Sequence, residues 1–237
     1  MTDGKKHATR EAYGKTLAEL ADEGIDVVAV DADLAGATKL DAFRDAHPDR
    51  FVDVGIAEQD MMDVAAGLSL TGKVAFTGSF AVFATGRCYD QIRNTVCDSN
   101  LNVKVCPTHA GITVGEDGAT HQALEDVGMM RALPQMTVLV PADFNATRAA
   151  LRLAATTYGP FYVRMGRLPV SQVYDEGFSP EVGHAYVLRE GTDVTIAACG
   201  VEVGEALAAA DALADEGISA EVIDVFSIKP LDAGTLL

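Results

Sequence analysis

The sequence predicts an α/β protein with a doubly wound, mostly parallel sheet, followed by a second, incomplete α/β unit. The apolar run at residues 27–30 is continuous rather than alternating, which is typical of a strand covered on both faces. Stretches with helical periodicity separate the predicted strands, and a strict alternation of strand and helix indicates a doubly wound layer. The alternation breaks between residues 166 and 190 and then resumes for one strand–helix–strand unit.

An amphipathic helix is predicted at residues 8–22. Tyr13, Leu17 and Leu20 fall on one of its faces, and Gly24 supplies the residue type that commonly follows a helix end. The apolar strand 27–30 comes next and ends in the acidic turn Asp31-Ala-Asp33.

A second amphipathic helix follows the sequence GIAEQ at residues 55–59. Its apolar residues have the i, i+3, i+4, i+7 spacing of one buried face: Met61, Val64, Ala65 and Leu68. A strand predicted at residues 50–54 leads directly into this helix. Glu58 is therefore expected near the carboxyl end of a strand, where open α/β sheets bind their ligands.

The remaining elements of the first unit continue the alternation. Strands are predicted at residues 73–76, 103–106, 137–140 and 161–164. Helices are predicted between them up to about residue 97, from about residue 122, and up to about residue 157. Asp143 is the candidate N-cap residue of the last of these helices.

The second unit contains one predicted strand–helix–strand motif. A strand begins at Asp193, a helix at 202–216 is ended by Gly217, and a strand covers 220–225. One such motif does not cover both faces of a sheet, so we expect this domain to be incomplete. The predicted domains are a first α/β domain at 1–165, a linker at 166–190 and a second domain at 191–237.

Composition narrows the functional classes. The formal net charge of −17 and the lack of a basic patch argue against nucleic-acid binding, so any anion site must be local. No run of about 18 apolar residues and no apolar N-terminal signal segment is present, so we expect neither a membrane span nor secretion. The four cysteines lack metal-ligand spacing, which favours reduced thiols in a cytoplasmic protein and no metal site.

Several polar residues follow predicted strands and could converge at one edge of the sheet. They are Asp33, Glu58, His109, Glu116, Asp117, His121 and Arg167. Each also has a purely structural interpretation. Glu58 could complement a helix dipole, Asp33 could cap a turn, and His109 could be a hydrogen-bonded loop residue. The GEDG sequence could be only a tight turn, His121 a cap or packing residue, and Arg167 a linker charge.

Phe80 and Phe83 lie three residues apart near a predicted helix start. Aromatic residues at this spacing are usually core residues. The alternative is an apolar wall against which a heteroaromatic ring stacks.

Five motifs occur in an order that resembles the pyrimidine-binding domain of transketolase. They are GIAEQ, FTGSFAVFATG, HAGITVGEDGATHQ, PAD and VRMGRLP, and with their flanks they cover residues 8–169. The segment from DVTIAACG to VIDVFSIKPLD is similar to the start of the family's third domain. The family's N-terminal domain carries a GDG motif, which this chain lacks, so the chain resembles the C-terminal subunit of a split transketolase.

The resemblance implies thiamine diphosphate as cofactor and gives roles to the cofactor-binding residues. Glu58 matches the glutamate that hydrogen-bonds pyrimidine N1′, and Phe80 and Phe83 match the aromatic residues around that ring. Asp33 matches an acidic residue near the cofactor. Gly86 stands where many relatives have a tyrosine of the ring pocket.

The resemblance also implies a phosphosugar site. His121 would lie near the reacting carbonyl oxygen, Asp117 would accept a hydrogen bond from a substrate hydroxyl, and His109 would help to hold the sugar phosphate. Arg167 matches an arginine of the phosphate clamp. At a serine position of that clamp the chain has Ala37, with Thr38 beside it as a possible replacement.

The implied partner is an N-terminal subunit whose GDG motif holds Mg²⁺ and the cofactor phosphates, in a heterotetramer. The implied reaction transfers a two-carbon ketol unit from a ketose phosphate to an aldose phosphate, in the pentose phosphate pathway. Three alternatives are a deoxyxylulose phosphate synthase, a 2-oxoacid dehydrogenase β subunit and an inactive scaffold protein. His109 argues against the first, the GEDG-x-THQ loop against the second, and Glu58 against the third.

Overall fold

A seven-stranded sheet forms the centre of the computed structural model, which describes residues 6–237. The strands of the described chain are β1 (His7–Ala8), β2 (Val27–Asp31), β3 (Phe51–Asp53), β4 (Val74–Gly78), β5 (Val103–Val105), β6 (Thr137–Leu139), β7 (Phe161–Val163), β8 (Pro169–Val170), β9 (Tyr186–Arg189), β10 (Val194–Ala198), β11 (Ala220–Asp224) and β12 (Ser227–Lys229). The central sheet has the order β12-β6-β7-β5-β4-β2-β3. Only the β12–β6 pair is antiparallel. The predicted α/β class with a mostly parallel sheet is therefore confirmed.

Helices cover both faces of this sheet. The helices of the described chain are α1 (Tyr13–Asp22), α2 (Ala35–Thr38), α3 (Asp41–Ala46), α4 (Glu58–Ser69), α5 (Ala81–Gly86), α6 (Asp126–Ala132), α7 (Phe144–Thr156), α8 (Glu202–Asp215) and α9 (Ala233–Leu236), and a π-helix spans Gln91–Asp98. Residues of α1, α3 and α7 form one hydrophobic core with the sheet, and residues of α4, α6 and the π-helix form another. This double coverage explains why residues 27–30 of β2 form a continuous apolar run.

The predicted face of α1 is buried, whereas that of α4 is buried only in part, since Val64 and Leu68 are half-buried. Tyr13 and Leu17 of α1 are fully buried, and so are Met61 and Ala65 of α4. Asp143 is confirmed as the N-cap residue of α7, because its Oδ1 accepts a hydrogen bond from the backbone N–H of Ala146 at 2.7 Å.

The polar segment between β2 and β3 contains two helices, α2 and α3, that its sequence does not predict. Each helix is too short for an apolar periodicity to be recognised. Lys39 ends α2 with a left-handed φ of +69°. Leu40 and Phe43 then anchor α3 by fully burying their side chains in the first hydrophobic core.

Helix α6 begins at Asp126, later than the predicted start near residue 122. The preceding residues belong to a loop contact instead, in which Ala123 forms an isolated bridge with Ala110. The carbonyl of Ala123 accepts a hydrogen bond from the N–H of Gly111 at 2.9 Å. The helix predicted to reach residue 97 is also divided, into α5 and the π-helix.

Strands β9, β10 and β11 form a separate three-stranded sheet in the order β10-β11-β9, and α8 packs on it through Ala206 and Ala210. Strand β9 lies inside the segment 166–190 that was predicted to be a linker, because four residues are too few to reveal a strand pattern. Strand β12 returns to the central sheet. The proposed boundaries of the two domains stay a prediction. No helix among residues 6–237 is long and apolar enough to cross a membrane.

Candidate active site

The predicted site residues follow strands of the central sheet. Glu58 is the first residue of α4 after β3, Phe80 is the N-cap residue of α5 after β4, and Asp33 follows β2. His109 follows β5 and Arg167 follows β7. Because these strands are parallel, their carboxyl ends lie at one edge of the sheet.

The Glu58 carboxylate is buried at the base of an open cleft of about 600 Å³. Its side chain is 4% exposed, whereas that of Arg87 is 51% exposed. The Nη1 group of Arg87 donates to Glu58 Oε1 at 3.0 Å and to Oε2 at 3.1 Å. Such charge-assisted hydrogen bonds compensate a carboxylate for its lost hydration. Arg87 is a site residue that the sequence did not reveal.

Four rings form an aromatic cluster beside this cleft: Phe80, Phe83, His109 and His121. The rings of Phe80 and His109 are stacked with their centroids 3.8 Å apart. Phe83 lies 6.1 Å from Phe80 and meets His121 edge-on at 5.2 Å. Both phenylalanines therefore belong to the candidate site and not only to the core.

His109 is held as a neutral ring. Its Nε2 lies 3.3 Å from Nη1 of Arg10, and its Nδ1 lies 2.7 Å from Oγ1 of Thr108. A guanidinium group can only donate, so Nε2 accepts and the ring proton belongs on Nδ1. Burial, followed by the charges of Arg10 and Arg167, lowers the pKa of His109 to about 3. His109 also has a φ of +59°, an uncommon conformation for a residue other than glycine.

Arg10 is the second functional residue that the sequence did not reveal. Its Nη1 donates to the carbonyl of Ala37 at 2.6 Å as well as to His109. Burial, and then repulsion by Arg167, lowers the pKa of Arg10. The two arginines thus concentrate positive charge around His109 in an otherwise acidic chain. No local motif marks Arg10, which reaches His109 across 99 residues of sequence.

Thr38 does not supply the hydroxyl that Ala37 lacks. It is fully buried, and its Oγ1 donates to the carbonyls of Leu34 at 3.1 Å and Ala35 at 3.2 Å. The idea that Thr38 replaces the serine of the phosphate clamp is therefore wrong, because its hydroxyl is bonded within α2.

The GEDG loop packs against Arg167. Nη1 of Arg167 donates to the carbonyl of Val114 at 2.8 Å, and Nη2 donates to Oε1 of Glu116 at 2.5 Å. Gly115 has a φ of +90°, and a Cβ there would lie 2.8 Å from Nη1 of Arg167, so the loop requires glycine at this position. Asp117 is exposed in the turn beyond it.

Asp33 lies at the exposed rim, with a φ of +60°. Its N–H donates to Oδ1 of Asp53 at 3.1 Å. Asp31, two residues earlier, is fully buried, and this burial raises its pKa to about 7. Oδ2 of Asp31 accepts from the N–H of Leu34 at 2.7 Å, so it fixes the turn that presents Asp33.

The structure brings most of the predicted residues together. Contacts run from Glu58 through Arg87 to the aromatic cluster, and from there to Arg10. Asp33 and Asp117 lie exposed on loops and carry no hydrogen bond from these groups among residues 6–237. Within the same residues, no three His, Cys, Asp or Glu side chains are placed to hold a metal ion. The roles assigned to the individual residues stay predictions.

Two family models match consecutive parts of the chain. The transketolase pyrimidine-binding domain matches residues 5–171, and the transketolase C-terminal domain matches residues 183–237. A protein of Methanocaldococcus jannaschii described as "Putative transketolase C-terminal section" is 47% identical over 94% of this chain and 71% of its own length.

Two further comparisons agree with these matches. A 6-deoxy-6-sulfo-D-fructose transketolase subunit from a Clostridium species is 43% identical over 98% of this chain and 72% of its own length. A solved structure described as a split gene transketolase, an inactive β4 tetramer, is 50% identical with a TM-score of 0.90. The match covers 98% of this chain and 76% of the chain in that structure. The resemblance seen in the sequence motifs is confirmed, and the chain belongs to the transketolase family.

Proposed function

We propose that this chain is the subunit of a two-chain transketolase that binds the pyrimidine ring of thiamine diphosphate. The enzyme would reversibly transfer a two-carbon ketol unit between a ketose phosphate and an aldose phosphate, as in the pentose phosphate pathway. One observation carries the proposal: the buried Glu58 carboxylate lies beside a cluster of aromatic rings, with two arginines around His109 at the same sheet edge.

The cleft suits an aminopyrimidine ring. Glu58 offers a buried carboxylate to a ring nitrogen, and Phe83 offers a flat apolar face for stacking. A Cβ at Gly86 would have no atom within 4 Å, so the missing tyrosine leaves open space beside the ring position. When bound, thiamine diphosphate supplies a nucleophilic carbon at its thiazolium ring. Glu58 would hold the proton at pyrimidine N1′, and Asp33 would lie near the cofactor from the rim.

The substrate end of the proposed site has both a proton-handling group and positive charge. Nδ1 of His121 pairs with Oγ1 of Thr120 at 2.9 Å, which leaves Nε2 to face the reacting oxygen. Arg167 and Arg10 would attract the sugar phosphate, and neutral His109 would hydrogen-bond to it. Asp117 would accept from a substrate hydroxyl.

The proposed partner is an N-terminal transketolase subunit that holds Mg²⁺ and the cofactor phosphates through a GDG motif. Support comes from the relative described as a C-terminal section and from the split gene structure. That structure is described as an inactive β4 tetramer, and we propose that this chain is likewise inactive without its partner. We further propose a cytoplasmic heterotetramer, a location that suits four unpaired cysteine thiols.

The test is ketol transfer from xylulose 5-phosphate to ribose 5-phosphate by the reconstituted pair with thiamine diphosphate and Mg²⁺. We expect Glu58→Gln to lower kcat by roughly 100-fold or more, since a lost proton-transfer group typically costs that much. Glu216→Gln is the matched control, because Glu216 is an exposed glutamate at the end of α8 and does not line the cleft. Unchanged transfer by Glu58→Gln, or no transfer by the intact pair, would contradict the proposal.

A further inference from the structure

We propose that Arg87 occupies the position of the cofactor's aminopyrimidine ring in the free chain, and that cofactor binding displaces it from Glu58. Arg87 would then compete with the cofactor for Glu58. It would pair with the carboxylate in the empty site and lower the affinity of the site for the cofactor. The inference rests on the proposed function, because it concerns the same cleft.

The first surface that Arg87 covers is the Glu58 carboxylate. Its Nη1 lies 3.0 Å and 3.1 Å from the two oxygens of Glu58. Glu58 is only 4% exposed, and Glu58 and Arg87 both line the open cleft, so the guanidinium group occupies the carboxylate oxygens at the cleft wall. A ring nitrogen approaching Glu58 from the cleft must therefore replace the guanidinium group.

The second surface is the aromatic face. Cζ of Arg87 lies 4.1 Å from the centroid of the Phe83 ring, which is stacking distance for a guanidinium group. Guanidinium and pyrimidine are both flat groups that stack on aromatic rings. One side chain thus covers both surfaces that the aminopyrimidine needs, the acceptor carboxylate and the stacking ring.

Arg87 is also free to leave. Its side chain is 51% exposed, and its side-chain hydrogen bonds to residues 6–237 go to Glu58 alone. The neighbouring Gly86 has open space around its Cβ position. Displacement therefore requires a change of side-chain rotamer and no rearrangement of α4 or α5.

The competition has two opposite consequences. In the free chain, Arg87 stabilises the fold because a buried carboxylate without a partner is unfavourable. In the complex, the same contact must be broken before the cofactor can bind. Removing Arg87 should therefore lower the stability of the free chain and tighten cofactor binding. If Arg87 instead contacted the bound cofactor, its removal would weaken cofactor binding. If Arg87 had only a structural role, its removal would not tighten cofactor binding.

The experiment uses Arg87→Met, which keeps the length of the side chain and removes its charge. Thiamine diphosphate is titrated calorimetrically into the complex with the partner subunit at saturating Mg²⁺. We expect Kd to fall roughly three- to tenfold, the range that a half-exposed ion pair over an aromatic ring can supply. Arg93→Met is the control, because Arg93 is 54% exposed and pairs with Asp90 instead. It should leave Kd unchanged.

A denaturation cycle on the free chain tests the contact itself, with Arg87→Met, Glu58→Gln and the double variant. We expect the double variant to be more stable than the two single losses predict by addition. Arg87→Lys keeps the charge without the planar group and serves if the Met variant does not fold. We expect its Kd to lie between those of the wild type and the Met variant.

Weaker or unchanged cofactor binding by both variants, or additive losses in the cycle, would overturn the inference. A wild-type complex that binds no thiamine diphosphate would instead contradict the proposed function. The two failures are distinguishable, because only the second appears without any substitution at position 87.

Discussion

At the scale of single residues, the candidate site combines two polar groups in opposite electrostatic states. Glu58 is buried opposite a cation, whereas His109 is buried between two cations. Burial, followed by the charges of Arg10 and Arg167, lowers the pKa of His109 and keeps its ring neutral. His109 is therefore a hydrogen-bonding ring of fixed tautomer, and Arg10 and Arg167 place positive charge beside it.

The lowered pKa of His109 predicts a contribution to pH-dependent stability. An unfolded histidine has a pKa of about 6.5, and the folded value is about 3. The unfolded chain thus binds more protons between these values, so the contribution is complete above pH 6.5 and is lost as the pH falls towards 3. We expect His109→Asn, which tolerates the positive φ, to reduce the slope of unfolding free energy against pH by about 1 kcal/mol per pH unit.

Urea denaturation of the free chain between about pH 4 and pH 7.5 measures this slope. His184→Asn is the control, because His184 is exposed and its side chain lies 3.4 Å from an exposed Glu181. Parallel stability curves for wild type and His109→Asn would show that His109 is not held neutral by its surroundings.

The sequence located the motif residues of the site but not their partners. Glu58, Phe80 and His109 stand in recognisable motifs, and the rule that parallel strands end at one edge predicted that they would meet. Arg10 and Arg87 lack such a context. Arg87 pairs with a residue 29 positions away and Arg10 with one 99 positions away, and only the packed structure specifies such pairs.

At the scale of elements, Asp143 connects helix α7 with the chain that leads to the second sheet. Its Oδ1 accepts from the N–H of Ala146, and its Oδ2 accepts from the N–H groups of Val173 at 2.5 Å and Tyr174 at 2.8 Å. The helix start and the connecting segment therefore share one buried carboxylate. Three backbone N–H groups therefore share the Asp143 carboxylate as their acceptor.

We expect Asp143→Ala to destabilise the chain by about 2–3 kcal/mol, more than a simple N-cap loss, because two further N–H groups also lose their acceptor. Denaturant unfolding measures the change. Asp175→Ala is the matched control. Within residues 6–237 the Asp175 carboxylate accepts a single exposed hydrogen bond, from the N–H of Gly177, so its loss should cost less than about 1 kcal/mol. Equal losses for both variants would refute a bridging role for Asp143.

Element prediction succeeded where the apolar pattern was long and failed where it was short. Helices α1, α4 and α7 have ten or more residues, and their buried faces recur over several turns. Helix α2 and strand β9 have four residues each, which is too few for a period to be visible. Strand β12 was missed for another reason: it leaves the second unit to pair with β6 of the central sheet, which is far away in sequence.

At the scale of the whole molecule, an acidic chain carries a local cationic site. The formal net charge is −17, yet Arg10 and Arg167 lie close enough to His109 to depress its pKa. Glu58 opens onto a wide cleft rather than an enclosed pocket, and Ile56 at its margin is 76% exposed. An exposed apolar residue beside the buried Glu58 carboxylate fits a site that is completed by another surface.

The proposal that two chains share one cofactor site is tested most directly by measuring ketol-transferase activity as a function of the ratio of the two subunits. We expect no transfer by this chain alone or by the GDG-bearing subunit alone, with thiamine diphosphate and Mg²⁺ present in both cases. Activity should rise with added partner and reach its plateau at an equimolar ratio. Full activity of this chain alone, or no activity at any ratio, would contradict a cofactor site shared between two chains.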